Sequence, residues 1–560
     1  MSTPDRPIRK PVFIEKIMPV TLLNEQVYYE HGGNPFKGLH RWYSRKPLSF
    51  SRASVLGSLL PADVTMEEFE WLLGLNRRVS GMQDKTTKLY KTPPSPDRIK
   101  KVQELCEQMW GTKTPTVLDA FAGGGSIPFE AARYGLNVLA SDLNPVAVVT
   151  MKAAIEYPLK FGADLQVEID KWVKWVGDEA EKRLAPFFPS LPGETVQNYL
   201  WAHTVKCPNC ESIVPLSPNW WLYKRPEKQN LNKWCAVRPI PNLAEKRVDF
   251  ELVKGKKGKG TTIETEDGEY DPDTTTTISR GVGKCPCCGN VIENEVIMQA
   301  AVNKKLGYQL YAFAYKKGKS SLEFRLPSGE DFKTIDQAST HLASVRNDIQ
   351  KGFLIPDIQI PEGKDLDEQI RIFCPTWADM FNPRQLLTLV TYVEIINEVK
   401  EKLRLEYEPE KGEAIATYLA LVCDRCADMN CKLAHWDSSR AGSKTASAQH
   451  SLNLMWNYPE VSGAGELWRS CADAFISDYQ TLCQQVGSDN ASLWHPNLNP
   501  LVAQASGLPP SERISGICKL EACATSQIKG EVRKRKRKNL PHWELDGAIY
   551  AIGFTTQDRI

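Results

Sequence analysis

Thr116-Val-Leu-Asp-Ala-Phe-Ala-Gly-Gly-Gly-Ser-Ile-Pro-Phe-Glu-Ala-Ala-Arg-Tyr-Gly135 is the stretch whose reading decides the fold. Val117 and Leu118 form a short apolar strand end, and Ile127 to Ala132 begin a helix. Between them Gly123, Gly124 and Gly125 allow a sharp turn that brings backbone N–H groups close to a ligand. A second strand, Leu136-Asn-Val-Leu-Ala-Ser-Asp142, ends on an acid. Asp142 lies about twenty residues beyond Asp119, where a doubly wound α/β sheet places the carboxylate that takes a ribose hydroxyl pair. Strand, glycine turn, helix and distal acid in this order predict a nucleoside-cofactor site in an α/β fold.

The spacing is not the G-x-G-x-x-G of a dinucleotide site. Asp119-x-Phe121-x-Gly123-x-Gly125-Ser126 resembles the D-P-F-x-G-S-G-T signature of amino-methyltransferases, which modify exocyclic amines of DNA or RNA bases. Asp142-Leu-Asn144-Pro145 is similar to the D-x-N-P that follows their second strand. The resemblance implies S-adenosylmethionine as cofactor, held by Asp119, Phe121, Gly123, Gly125, Asp142 and Asn144. Upstream, Leu39-His-Arg-Trp-Tyr-Ser-Arg-Lys-Pro-Leu48 leads into an apolar helix, Phe50 to Leu60. In such enzymes a similar segment lies beside the methionine end of the cofactor, where Arg45 and Lys46 would meet a carboxylate. The residues alone read equally well as a helix start with Pro47 in its first turn.

The chain has 560 residues, more than one hydrophobic core organises. No apolar run approaches the ~18 residues of a membrane span, and Met1-Ser-Thr-Pro-Asp-Arg6 has no apolar signal core, so the expected place is the cytoplasm. Fifteen cysteines, an odd count, fit metal ligands in a reducing compartment better than a disulfide scaffold. Net charge is +2, but Arg533 to Lys538 are consecutive bases, so the rest of the chain is slightly acidic. That basic run reads as a solvated tail, and nucleic-acid contact would need a local patch.

Two Cys-x-x-Cys pairs carry the metal chemistry. Cys207-Pro-Asn-Cys210 and Cys285-Pro-Cys-Cys288-Gly share proline after the first cysteine, the turn chemistry of zinc knuckles. Cys207, Cys210, Cys285 and Cys288 therefore predict one structural zinc, with Cys287 a bystander. The long insert between the pairs holds Lys254 to Gly260 and the acidic Glu264 to Asp273, expected as a protruding hairpin. Residues 61–100 read as a polar helical linker. Asp164 to Leu184 has helical periodicity, and Tyr308 to Tyr315 with Leu322 to Leu326 alternate as a hairpin. Phe381 to Leu403 predicts a helix buried along Leu386, Leu389, Val390, Val393 and Ile396. Glu413 to Leu433 predicts another, whose Cys423, Cys426 and Cys431 lack turn residues and read as core.

Taken together the chain resembles the adenine-specific DNA methylases that carry an inserted zinc ribbon, a methylase family of unknown function. The matching pieces are Ile14 to Pro19, Leu23-Asn-Glu25, Leu39 to Leu48, Leu118 to Gly125, Ala140 to Ala147, both cysteine pairs, Phe381-Asn-Pro-Arg-Gln-Leu-Leu387 and Met455-Trp-Asn-Tyr-Pro-Glu460. The resemblance implies a Rossmann-like methyltransferase sheet, DNA as partner and protein partners in a larger modification or defence complex. In these enzymes a D/N-P-P-Y loop orients the amine and stacks on the flipped base. No such tetrapeptide occurs in this sequence, so the catalytic residues are unassigned and the sheet is expected to be incomplete. Arg537 to Tyr550 is similar to the opening of repeat-associated tyrosine transposases, as if a mobile element interrupted the methylase. The expected organisation is a cofactor-binding half over 1–160, a zinc-ribbon insertion over 161–350, a helical region over 351–475 and a divergent, disordered basic tail over 476–560. The expected function is an S-adenosylmethionine-dependent DNA amino-methyltransferase of impaired activity. The alternative is a catalytically inactive zinc-ribbon protein that binds nucleic acid or acts as a scaffold.

Overall fold

Two short strands, β1 (Thr116–Asp119) and β2 (Asn137–Ala140), pair in parallel in the register Thr116↔Asn137 to Asp119↔Ala140. Leu501–Val502 extends this sheet beyond β2 and Ile549–Tyr550 beyond β1, both in parallel. The structure is a computed structural model that describes residues 10–30, 35–42, 45–75, 88–224, 233–266, 268–319, 321–348, 351–361, 368–449 and 452–486. Beyond these it describes only the short strands 501–502, 533–537, 540–544 and 549–550. The basic run contributes to a hairpin in which Arg533–Arg537 pairs antiparallel with Leu540–Glu544.

The chain is mixed α/β and divides into two units: 1–170 with 407–418 and 474–560, and 171–406 with 419–473. In the first unit, helix Leu48–Leu59 packs on the glycine-loop helix Ser126–Arg133 and on helix Met66–Leu73. Glu30 starts the first of them. Its carboxylate accepts from the backbone N–H of Leu48 (3.0 Å) and Ser49 (2.9 Å), satisfying donors that a helix N-terminus leaves open. Pro47 stands one residue before this helix, with φ of −57° and ψ of 135°. Glu130 accepts from Arg52 Nε at 2.7 Å and from Arg133 Nη1 at 2.7 Å, with all three side chains buried. Arg52 reaches on to the carbonyls of Leu73 (2.8 Å) and Thr92 (3.0 Å), so its donors are satisfied despite burial. The described residues of the segment expected as a polar linker, 61–75 and 88–100, are thus packed: Leu72, Leu73 and Leu89 are fully buried, and Tyr134 Oη donates to the Leu72 carbonyl at 2.6 Å.

The second unit is built on Glu194–Lys206. This strand pairs antiparallel with Gly307–Lys317 on one side. On the other it pairs with Asn457–Val461 and, further along, Ile213–Leu216. Gly307–Lys317 pairs in turn with Glu323–Arg325, the expected hairpin. The insert between the cysteine pairs forms Arg247–Lys257, Ile263–Thr265 and Gly268–Tyr270, successive antiparallel strands. Trp220, Leu222, Val237, Tyr311 and Phe324 fill the core on one face.

Helix Asp164–Leu184 has the expected bounds. Helix Pro383–Glu406 buries Ile395 and Val399 where the sequence suggested Val393 and Ile396, and its first turns are buried on every side. A single apolar stripe assumes one covered face, and here Arg384 and Gln385 are covered too. Helix Pro409–Met429 ends before Cys431. Asn430 lies just past its end, where its buried Oδ1 accepts from Val461 N at 2.8 Å. Among the described residues no helix is long and apolar enough to cross a membrane.

Candidate functional site

The glycine loop leaves the carboxyl end of β1 and closes on the acid beyond β2. Asp142 Oδ2 accepts from Gly123 N and Oδ1 from Asn144 N, both at 2.8 Å. Asn144 then caps helix Pro145–Met151 by accepting from Val146 N at 2.9 Å. Ser141 N donates to the Asp119 carbonyl at 3.0 Å, and Asp119 Oδ1 accepts from Phe121 N at 3.3 Å. Gly123 and Gly125 have φ of 53° and 81°, left-handed values that a side chain would strain. A Cβ on Gly125 would also stand 2.7 Å from Met151 Cγ.

Trp42 and Arg45 pack against the outside of this loop. A Cβ on Gly123 would lie 2.8 Å from Trp42 Nε1, and one on Gly124 2.8 Å from Arg45 Nε. Arg45 donates to the carbonyls of Phe36 and His40, and its guanidinium sits 4.4 Å over the Phe36 ring. Its Nε has no partner among the described residues, and burial lowers its pKa to about 10. Lys46 is exposed, while its carbonyl accepts from Ser126 Oγ at 2.9 Å. The ledge at the strand ends combines two half-buried acids with Phe121 (75 % exposed) and Leu143 (83 % exposed). Burial, reinforced by neighbouring Asp142 and opposed by the Phe121 N–H, raises the Asp119 pKa to about 6. Half-exposed carboxylates beside exposed apolar side chains suit a ligand with sugar hydroxyls and a flat base.

The four predicted cysteines converge. Sγ atoms of Cys207, Cys210, Cys285 and Cys288 all lie within 4.8 Å of one another. Cys207–Cys288 and Cys210–Cys285 are 3.8 and 3.6 Å apart. Tetrahedral thiolates ~2.3 Å from one zinc would stand about 3.8 Å apart. The knuckles are built alike. Cys207 N donates to Ser212 O and Cys285 N to Asn290 O, both at 2.9 Å. Glu211 N donates to Cys207 O at 3.0 Å, and Gly289 N to Cys285 O at 2.9 Å. Glu211 and Gly289 hold the same left-handed place, with φ of 62° and 76°. Cys287 points away and donates to the Arg247 carbonyl at 3.6 Å. Hydrogen bonds from Ser212 pull the Cys210 pKa down to about 6, while burial pushes Cys207 and Cys285 up. Cys423, Cys426 and Cys431 are buried outside this cluster, as core.

A charged cluster invisible to motif reading lies in the second unit. Glu460 is fully buried and accepts from Arg384 Nε (2.6 Å), Arg384 Nη2 (3.0 Å), Trp201 Nε1 (2.7 Å) and Asn382 Nδ2 (3.2 Å). The Arg384 guanidinium lies 4.0 Å over Tyr199 and 4.7 Å over Phe188. The Asn382–Gln385 and Asn457–Glu460 segments therefore meet in a buried network that satisfies the Glu460 carboxylate and whose geometry is architectural. The signal was a charge inside each apolar segment, but nothing local paired them.

Residues 99–179 match the D12 class N6 adenine-specific DNA methyltransferase family, and residues 17–75 match a family of proteins of unknown function, DUF1156. No match was found among curated proteins or among solved structures. The glycine loop and its acids thus belong to a segment similar to DNA-methylating enzymes, and Trp42 and Arg45 of the other matched segment pack on that loop. Neither match reaches the four clustered cysteines or residues 533–550, so neither bears on the expected zinc ribbon or transposase-like tail.

Proposed function

We propose that this chain is an S-adenosylmethionine-dependent DNA amino-methyltransferase by descent, adenine-specific in type, that carries the cofactor-binding part of the reaction. The observation that carries the reading is the Asp142 carboxylate tied to Gly123 N at the end of two parallel strands, within a segment similar to D12 class methyltransferases. Each Asp142 oxygen keeps a lone pair for a ribose hydroxyl after its backbone bond. Phe121 and Leu143 offer apolar faces to the base. Asp119, poised near neutrality by burial, is the group to receive an ammonium. The bound cofactor supplies an electrophilic methyl group. The zinc proposed at Cys207, Cys210, Cys285 and Cys288 is structural, since four thiolates leave no open position.

Methyl transfer to an amine depends on aiming the amine and accepting its protons, rather than on strong acid–base chemistry. These 560 residues hold no D-P-P-Y or N-P-P-Y to do so, which supports an impaired activity. Titration calorimetry with S-adenosylmethionine tests the reading. Saturable one-site binding supports it. Absence of binding to the folded, metal-loaded chain overturns it in favour of a zinc-ribbon binding or scaffold protein.

A further inference from the structure

Within the second unit an open cleft of about 520 Å³ is lined by Pro218, Asp273, Thr276, Ser279, Arg280 and Trp456. Trp456 belongs to the Met455–Glu460 segment, yet differs from its neighbours there. Tyr458 and Glu460 are buried, and Asn457 bonds the Tyr311 hydroxyl at 3.4 Å. Trp456 is half-buried, braced edge-on by Phe373 at 5.5 Å, and turned to the cleft. Across from it Arg280 tops a two-residue hairpin between Ile278–Ser279 and Val282–Lys284. Arg280 and Gly281 have φ of 50° and 81°, the turn that prefers Asn-Gly. Arg280 is exposed and holds a left-handed conformation that a non-glycine residue adopts at a cost. Asp273 accepts from Trp221 Nε1 at 3.0 Å, leaving its second oxygen 3.9 Å from Lys224 Nζ.

We infer that this cleft is a binding site for an unpaired base of single-stranded nucleic acid. The indole is the stacking surface, Arg280 is the cation for a flanking phosphate, and the Asp273 carboxylate accepts from an exocyclic amine. An open cleft with one braced aromatic and an arginine at its rim suits a strand running through, whereas a duplex would keep its bases from the indole. The inference rests on the proposed reading only in taking nucleic acid as the partner.

Fluorescence anisotropy of the full, metal-loaded chain with labelled oligonucleotides of about a dozen nucleotides tests it. Trp456→Ala should weaken single-stranded binding about tenfold, and Trp456→Phe should restore most of it. Arg280→Asn suits the turn better, so it should melt no lower than wild type while reducing the salt slope of binding by about one. Single-stranded DNA and RNA are run side by side, and binding of either supports the site. The inference is overturned if the wild-type chain binds neither, or if Trp456→Ala and Arg280→Asn both bind as wild type. It is also overturned if only duplex binds. S-adenosylmethionine affinity, measured on the same samples, reports on the cofactor reading alone, so failure of one leaves the other standing.

Discussion

Asp142 holds its own loop as well as its proposed ligand. Replacing it by alanine removes the acceptor for both Gly123 N and Asn144 N, two hydrogen bonds to a charged group worth about 1.5–3 kcal/mol each at most. Asp142→Ala should therefore lower thermal stability and weaken cofactor affinity at least tenfold. Asp142→Asn, which keeps one carbonyl acceptor, should recover part of the stability. Equal cofactor affinity in wild type and Asp142→Ala would remove Asp142 from the site. Asp119 makes a pH prediction. Its folded pKa of about 6 is above the ordinary 3.8, so between these values the native state binds more protons than the unfolded one. Stability then falls as pH rises from about 4 to about 6 and is flat above, a loss of at most about 3 kcal/mol. Asp119→Asn should abolish that slope and raise the melting temperature at pH 7. A parallel pH dependence in wild type and variant would show that the carboxyl is more solvated than its surroundings suggest.

At the scale of elements, sequence legibility followed locality. The glycine loop and the two knuckles were readable because their chemistry is local: glycines at left-handed positions, proline after the first thiolate, an acid at a strand end. Arg384 and Glu460 were not, because the pair spans 76 residues and each sits in a segment that reads as apolar. The stripe expected on Pro383–Glu406 held at Leu386, Leu389 and Val390 and slipped to Ile395 and Val399 further on, since first turns covered on every side show no single face in their periodicity. Losing Glu460 leaves an uncompensated guanidinium, so Glu460→Ala should destabilise the unit by about 3–5 kcal/mol in denaturant melts. A change below about 1 kcal/mol would contradict its burial. The knuckles carry a gentler prediction. Glu211 occupies in the first the left-handed place that Gly289 occupies in the second. Its contacts to Lys206 and Lys246 are exposed and count for little. Glu211→Gly should thus leave metal affinity unchanged and stability equal or up to about 1 kcal/mol higher, read from melting temperature.

For the whole molecule, the proposed chemistry divides between binding the methyl donor and holding the base. The first is assigned to a loop, two acids and an apolar ledge. The second has no D-P-P-Y among these residues, and Asn457 does not replace it: its side chain bonds Tyr311 in a strand paired with Glu194–Lys206. An amine that is not aimed at the methyl loses a positioning advantage of many powers of ten. The chain should therefore bind S-adenosylmethionine yet transfer labelled methyl groups to DNA at background rate. Chelation separates the parts further. Removing the proposed zinc should lower the melting temperature, because metal binding would be coupled to folding of the two knuckles, while cofactor affinity at a temperature below that transition stays the same. Methyl incorporation above background, abolished by Asp119→Ala, would mean that another group holds the base. Labelled products would then reveal which amine it presents, and the division between donor-binding and base-holding parts would have to be redrawn.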